Sequence, residues 1–251
     1  LDYLDLHYYP QNRNNEAAIS LAPAGDAATQ ARRLRSTRSL WDPTYVDESW
    51  IADAGPDGGI IQLLPRMKAW IAQNYPGTQL AITEYNWGGL ENINGALAQA
   101  DVLGIFGREG LDLATLFDPS QGDPLQTTFS SSPGAYAFRI YRNYDGQGGK
   151  FGDTSLQANS SDPGKVSIYA AQRSADNAIT LIIINKSGAE LSATTTLAGV
   201  TPGAAAKVYR YDPSDLTHIA HLADQPLSGD RFTATFPANS ITLLLIPIED
   251  Q

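Results

Sequence analysis

The chain has 251 residues, with 27 acidic against 17 basic side chains, a formal net charge of −10 and no cysteine. The negative charge argues against a nucleic acid or an anionic membrane as partner, and the lack of cysteine excludes disulfides, thiolate nucleophiles and cysteine-ligated zinc. No run of about 18 apolar residues occurs, so the sequence predicts no membrane-spanning helix.

The first predicted element is a strand over residues 1–10, where polar and apolar side chains alternate until Pro10 ends the pairing. Strand side chains alternate between two faces, so one face should pack under helices and the other should point into a site. The polar row comprises Tyr3, Asp5, His7 and Tyr9. We predict His7 and Tyr9 as site residues; a buried structural histidine is the alternative for His7.

Two helices are predicted before the next strand. Residues 27–40 follow Asp26, a suitable N-cap, and carry four arginines that we expect to form a solvated or salt-bridged face rather than a phosphate site. Between residues 60 and 71 apolar side chains recur at helical spacing, which predicts a core-facing stripe that includes Trp70.

The second predicted strand, residues 80–85, ends in a carboxylate followed by aromatic residues, an amide and a glycine. Period-two alternation predicts that Leu80, Ile82 and Glu84 share one face. In a parallel α/β barrel the carboxyl end of a strand lies at the active-site face, where Glu84 would sit. The alternative is an exposed glutamate that opens a loop.

The pattern then changes near residue 145. A helix from about Asn94 to Gly110, a third strand over 111–117 and a helix starting at Ser132 and Pro133 complete an α/β portion. Short strands rich in Val, Ile, Thr and Tyr follow, which is typical of a β-sandwich. They are predicted over residues 165–171, 179–185, 191–197, 207–211, 231–236 and 241–247. We predict two domains, 1–145 and 146–251.

Five stretches of this sequence together resemble the carboxy-terminal portion of glycoside hydrolase family 44 enzymes. They are 4–10 (LDLHYYP), 39–45 (SLWDPTY), 81–88 (AITEYNWG), 99–110 (QADVLGIFGREG) and 141–146 (YRNYDG). The resemblance implies a retaining endo-β-1,4-glucanase acting on cellulose-like and related plant cell-wall β-glucans, with xyloglucan and xylan left open. It also implies that residues 1–145 are about units six to eight of a TIM-like (β/α)8 barrel followed by a β-sandwich.

The same resemblance implies that Glu84 is the catalytic nucleophile. Tyr9 or Tyr85 would hydrogen-bond its carboxylate, and His7 would contact sugar hydroxyls or the same carboxylate. The expected substrate-binding residues are His7, Tyr8, Tyr9, Tyr85, Asn86, Trp87 and Phe117, with Trp87, Tyr8 and Phe117 as stacking platforms. We expect no catalytic metal and no required cofactor; no motif indicates a structural calcium, which stays open.

A retaining glycosidase needs a second carboxyl group as general acid, and no residue of this chain fits the family's pattern for it. Glu16 follows Asn14 and Asn15, but no apolar strand precedes it, so we predict a solvated loop residue. The expected partners are therefore a β-glucan and an amino-terminal half that supplies the acid, in a secreted, extracellular bacterial protein. The rival hypothesis is a non-catalytic carbohydrate-binding or structural fragment.

Overall fold

A computed structural model of the chain describes residues 1–13, 19–21, 23–55, 57–118 and 129–249. Contacts between residues divide the chain into two compact units, Leu1–Gly134 and Ala135–Gln251. The helix Pro133–Arg142 contains residues on both sides of this division. The predicted boundary between residues 145 and 146 stays a prediction, and Glu16 lies outside the described residues.

The first unit alternates strands and helices around a parallel sheet. Its strands are β1 (Tyr3–Tyr8), β2 (Gln79–Tyr85) and β3 (Leu113–Leu116), and its helices are α1 (Ala27–Ser36), α2 (Trp50–Ala54), α3 (Leu63–Asn74) and α4 (Ile93–Glu109). The strand order is β1-β2-β3, and both pairings are parallel. The carboxyl ends of all three strands therefore meet at one edge of this sheet.

Local signals in the sequence explain where these helices begin and end. Asp26 caps α1 by accepting a hydrogen bond from the Thr29 backbone N–H at 2.8 Å, as predicted. Asn92 caps α4 in the same way, and Gly110 ends that helix in the left-handed conformation, at a φ of 62°. These caps fix the positions of the loops that follow β1 and β2.

The second unit contains a six-stranded antiparallel sheet and a two-stranded one. Helix α5 (Pro133–Arg142) leads into it. The strands are β4 (Thr154–Leu156), β5 (Val166–Gln172), β6 (Ile179–Asn185), β7 (Leu191–Thr196), β8 (Ala205–Asp212), β9 (Asp215–Pro226), β10 (Arg231–Phe236) and β11 (Ser240–Ile246). The large sheet has the order β4-β5-β6-β11-β8-β9, and β10 pairs with β7.

Apolar side chains from both sheets form the core of the second unit, with Leu181, Phe236 and Leu244 almost fully buried. Within this unit the Tyr136 ring of α5 stacks on Tyr211 of β8, with ring centroids 4.9 Å apart, and the Tyr136 hydroxyl donates to the carbonyl of Thr217. These contacts explain why most of α5 divides with the antiparallel sheets.

The structure corrects several expectations about single elements. All six predicted strands of the second unit exist, but β4 and β9 were missed, because β4 is short and β9 is an edge strand of mixed polarity. Trp70 is exposed on α3 rather than in the core. Arg33 of α1 is fully buried, whereas Arg35 pairs with Glu48, as expected for a salt-bridged face.

One face of the parallel sheet exposes apolar side chains, which predicts self-association of the chain. Parallel sheets are normally covered on both faces, yet Tyr3 on β1 and Leu113 on β3 are 41% and 44% exposed. We expect the chain alone to form oligomers in a concentration-dependent manner, measured by light scattering after gel filtration. Replacing Tyr3 and Leu113 with lysine should reduce association.

The matched control is Trp70→Lys on α3, because Trp70 is 52% exposed but lies on a helix. That variant should associate as the unsubstituted chain does. A monomeric chain at all concentrations would contradict the prediction.

Candidate active site

A β-bulge in β2 determines which way Glu84 points. β1 and β2 run in register from Tyr3 opposite Gln79 to Leu6 opposite Ile82, but His7 then lies opposite Glu84, so β2 contains one extra residue. A one-residue slip moves a side chain to the other face of the sheet. Glu84 therefore leaves the face of Leu80 and Ile82 and joins that of His7, and the prediction that these three residues share a face is wrong.

Two donors hold one oxygen of the Glu84 carboxylate. The Tyr9 hydroxyl donates to Glu84 Oε2 at 2.9 Å, and His7 Nδ1 lies 3.1 Å from the same oxygen. Among the described residues no hydrogen bond reaches Oε1. The carboxylate is partly exposed at the carboxyl edge of the sheet, so Oε1 is accessible to a ligand.

Tyr9 remains a neutral hydrogen-bond donor over the whole physiological pH range. Partial burial, followed by its hydrogen bond to Glu84 and the charge of that carboxylate, raises the pKa of Tyr9 to about 12. Its ring lies edge-on to Phe117, with centroids 6.5 Å apart. Phe117 is exposed, and it is the predicted aromatic platform that the structure leaves accessible beside this site.

Asp5 and Thr83 lie next to His7 and were not assigned to the site from the sequence. Asp5 accepts two hydrogen bonds from Thr83, one from the backbone N–H at 3.0 Å and one from the hydroxyl at 2.6 Å. The Thr83 hydroxyl also lies 3.3 Å from His7 Nε2. The Thr83 side-chain hydrogen bond is the main cause that lowers the pKa of Asp5, so Asp5 is ionised and poorly suited to donate a proton as a general acid.

Asn86 connects the ends of β2 and β3 rather than facing solvent. It is almost fully buried, its side-chain nitrogen donates to the carbonyl of Phe117 at 2.8 Å, and its side-chain oxygen accepts from the Gly88 N–H at 2.6 Å. The loop after Glu84 and the loop after β3 are thereby joined. In this arrangement Asn86 orients the site and does not present its amide to a ligand.

Tyr8, Tyr85 and Trp87 pack behind the site. The ring of Trp87 is 0% exposed and lies 5.7 Å from Tyr8 and 6.3 Å from Tyr85, and its indole N–H donates to the Ser36 hydroxyl at 3.1 Å. Tyr85 accepts a hydrogen bond from Gln99 at 2.9 Å and does not reach Glu84. A sugar cannot stack on buried rings, so the prediction that Trp87 and Tyr8 are stacking platforms is wrong. The prediction that Tyr85 donates a hydrogen bond to the Glu84 carboxylate is also wrong.

A buried arginine connects two loops at this edge of the sheet. Arg33 uses all five of its N–H donors, at 2.7 to 3.1 Å, although it is 0% exposed. The acceptors are the carbonyls of Ile19, Pro23, Ala24 and Trp87 and the side chain of Asn94. Burial lowers the pKa of Arg33, which the charge of Glu91 partly opposes.

Arg33 therefore links the loop after β1 to the loop after β2, and it forms no ion pair with any residue in the described ranges. No sequence signal separates it from Arg32, Arg35 and Arg38 in the same helix. Space around it is tight: a Cβ added at Gly89 would lie 3.2 Å from the guanidinium, and one at Gly95 would lie 2.0 Å from the Gly89 carbonyl oxygen. The loop after Glu84 is thus packed directly on α1 and α4.

Within the described ranges, no group of three or more His, Cys, Asp or Glu side chains is arranged to hold a metal ion. His218 and His221 lie on the surface; His218 pairs with Asp215 at 2.9 Å and His221 stacks on Tyr209. None of the helices in the described part of the chain has the length and apolarity needed to cross a membrane.

Comparison with known proteins identifies the family. No family model matches the chain. It is 35% identical over 241 residues to endoglucanase A of Paenibacillus lautus, covering 94% of this chain and 33% of that protein. A xyloglucanase of glycoside hydrolase family 44 from Paenibacillus polymyxa, solved with xyloglucan, is 34% identical with a TM-score of 0.88, over 98% of this chain and 47% of that one. The chain belongs to glycoside hydrolase family 44.

A further solved structure of similar fold is CelM2, a bifunctional glucanase-xylanase from a metagenome library. It is 45% identical, with a TM-score of 0.86 over 99% of this chain and 44% of that one. The chain thus spans less than half the length of these relatives, and the resemblance to a carboxy-terminal portion of family 44 stands. The site at Glu84 lies within the portion that the chain shares with other family 44 members.

Replacing Arg33 should destabilise the first unit far more than replacing an exposed arginine of the same helix. Arg33→Met leaves four carbonyls and an amide without their donor, so we expect a loss of about 3–5 kcal/mol in the free energy of unfolding. All four tryptophans, Trp41, Trp50, Trp70 and Trp87, belong to the first unit, so urea unfolding followed by tryptophan fluorescence reports on that unit.

The control is Arg35→Met, which removes the partly exposed pair with Glu48. It should cost at most about 1 kcal/mol, as surface ion pairs do. Equal losses in the two variants would show that Arg33 does not hold the loops.

Proposed function

We propose that this chain supplies the nucleophile of a retaining endo-β-1,4-glucanase. The observation that carries the proposal is the Glu84 carboxylate at the carboxyl edge of a parallel sheet, with Oε2 held by Tyr9 and His7 and with Oε1 accessible. A nucleophile of this kind must be ionised, oriented and reachable by the anomeric carbon. Oε1 would attack, and Oε2 would stay bound to its two donors.

We further propose that the described sheets are the carboxy-terminal part, about units six to eight, of a TIM-like (β/α)8 barrel followed by a β-sandwich. Three parallel strands with helical crossovers, followed by two antiparallel sheets, fit this architecture. In such a barrel the remaining strands and the general acid come from an amino-terminal half. The ionised state of Asp5 supports this division, because the nearest carboxylate in the network does not serve as the acid.

The proposed substrates are cellulose-like and related plant cell-wall β-glucans, including xyloglucan or xylan. Relatives described as an endoglucanase, a glucanase-xylanase and a xyloglucanase favour this range. The exposed ring of Phe117 is the proposed platform for a pyranose face. The proposed reaction needs no cofactor, and secretion from a bacterium fits a polymeric substrate outside the cell.

Covalent labelling tests the role of Glu84. In the presence of the amino-terminal half, a 2-deoxy-2-fluoro glucoside with an activated leaving group should label Glu84, because the fluorine slows hydrolysis of the glycosyl-enzyme. Peptide mapping by mass spectrometry identifies the labelled residue. Glu84→Gln should lower kcat by more than about 10⁴-fold while substrate binding persists, because the amide lacks the attacking oxygen.

Glu190→Gln is the matched control, an identical chemical change at an exposed position of the second unit, and it should leave kcat unchanged. A label on another residue, or hydrolysis with inversion, would refute the proposal. Binding of glucan without labelling or turnover in the presence of the amino-terminal half would favour the non-catalytic carbohydrate-binding hypothesis instead.

The chain alone, lacking an acid, should hydrolyse glucans about 10²–10⁴-fold more slowly than the assembled enzyme.

Tyr9→Phe tests the hydrogen bond to the carboxylate. The Tyr9 hydroxyl holds the carboxylate in one orientation, so its loss should reduce kcat about 10- to 100-fold. The alkaline limb of the pH–rate profile should not change below about pH 11, because the pKa of Tyr9 is about 12 and the residue does not titrate there. Tyr75→Phe, at an exposed tyrosine after α3, is the control. An unchanged kcat in Tyr9→Phe would contradict this role.

A further inference from the structure

His7 lies between two carboxylates on one face of the parallel sheet. Its Nδ1 is 3.1 Å from Glu84 Oε2, and its Nε2 is 3.3 Å from the Thr83 hydroxyl, which in turn is 2.6 Å from Asp5 Oδ2. The bulge makes this possible, since it turns the consecutive residues Thr83 and Glu84 toward the same ring. The four side chains therefore form one continuous row of polar contacts.

Counting protons assigns the direction of each hydrogen bond in the row. The Thr83 hydroxyl has one proton, and the shorter contact to a charged acceptor places it on the side of Asp5. The Thr83 oxygen then accepts from His7 Nε2–H. His7 Nδ1 faces a carboxylate oxygen and donates to it, so a ring protonated on both nitrogens satisfies every contact.

We propose that Asp5 is a positioning residue for the nucleophile: through Thr83 it fixes the His7 ring with Nδ1–H directed at Glu84 Oε2. The inference rests on the proposed function, since it adds to the role of Glu84. Asp5 does not touch the reacting atoms. It acts by holding the proton of Thr83, which leaves the Thr83 oxygen as an acceptor for the imidazole.

The effect on the site is geometric and electrostatic. Two donors, Tyr9 and His7, meet at Oε2, so the carboxylate is held in one orientation and Oε1 is left to attack. The His7 ring lies between the carboxylates of Asp5 and Glu84, and it contacts Glu84 directly and Asp5 through Thr83. We call the contacts from Asp5 through Thr83 to His7 the relay. Without the relay the His7 ring can rotate, and the Glu84 carboxylate loses one of its two restraints.

The surroundings of His7 contain few other charges within the residues that the structure describes. Asp5 on β1 and Glu84 on β2 face the ring, and Tyr9 reaches it through Glu84. From β3, Thr115 donates to the Thr83 carbonyl and is uncharged. The relay through Thr83 is therefore the path by which Asp5 acts on the ring.

Nitrogen-15 NMR of the imidazole rings tests the row without any need for turnover. The chain has three histidines, so labelled histidine gives few signals, which His7→Gln assigns; an unlabelled amino-terminal half can be added to keep the labelled chain in solution. The proposed hydrogen bonds place a proton on both His7 nitrogens, so both signals should lie at the protonated position. In Asp5→Asn the amide oxygen can still accept from the Thr83 N–H, and the amide nitrogen then donates to the Thr83 hydroxyl. The hydroxyl is left to donate a hydrogen bond to Nε2, so the Nε2 signal should move to the unprotonated position, while His218 provides an unchanged internal reference.

Kinetics of inactivation by the fluoro glucoside test the positioning role. Asp5→Asn and Thr83→Val should slow labelling of Glu84 about 10- to 100-fold in the assembled enzyme, because a displaced nucleophile loses its attack geometry. Thr83→Ser retains the hydroxyl and should react as the unsubstituted enzyme does. Asp2→Asn is the matched control, an exposed aspartate beside the start of the same strand.

The two possible failures appear in different measurements. No label on Glu84 in the unsubstituted enzyme would refute the proposed function. Unchanged His7 signals in both Asp5→Asn and Thr83→Val would refute the relay, even if Glu84 is labelled. Slow labelling by Thr83→Ser equal to that by Thr83→Val would also refute it, because the hydroxyl would then have no role.

Discussion

One extra residue in β2 decides which side of the parallel sheet carries the Glu84 carboxylate. Without the bulge, Glu84 would follow Leu80 and Ile82 into the apolar layer beneath the helices, where an ionised group is costly. With it, the carboxylate meets Tyr9 and His7 on the polar row of β1. The chemistry of the site thus depends on a local change of register rather than on the residue type alone.

Behind the polar row, the aromatic and buried polar residues serve to hold the edge of the sheet. Trp87 fills the space between Tyr8, Tyr85 and Ser36, and Asn86 links the ends of β2 and β3. Residues that directly follow a strand ending in a carboxylate are easily taken for ligand-binding residues. Here Asn86 and Trp87 fix the loop that directly follows Glu84.

The sequence predicted the order and type of most elements, because apolar spacing, caps and glycine stops are local signals. Asp26 begins α1 and Gly110 ends α4 where expected, and the β-rich segment was recognised from its strands. The bulge was not predictable, since strict alternation continues through Leu80, Ile82 and Glu84. Burial of Trp87 and Arg33 depends on tertiary packing, which the residue type alone does not specify. Asp5 and Thr83 acquire their role only when β1 and β2 are paired.

Arg33 has a further consequence for the motion of the site. Its charge is balanced mainly by peptide dipoles from two separate loops, so opening either loop would leave a desolvated cation with too few acceptors. The described segments that carry these carbonyls are therefore expected to open together, as one cooperative unit. A ligand that reaches Glu84 without breaking these hydrogen bonds must therefore enter from another side of the site.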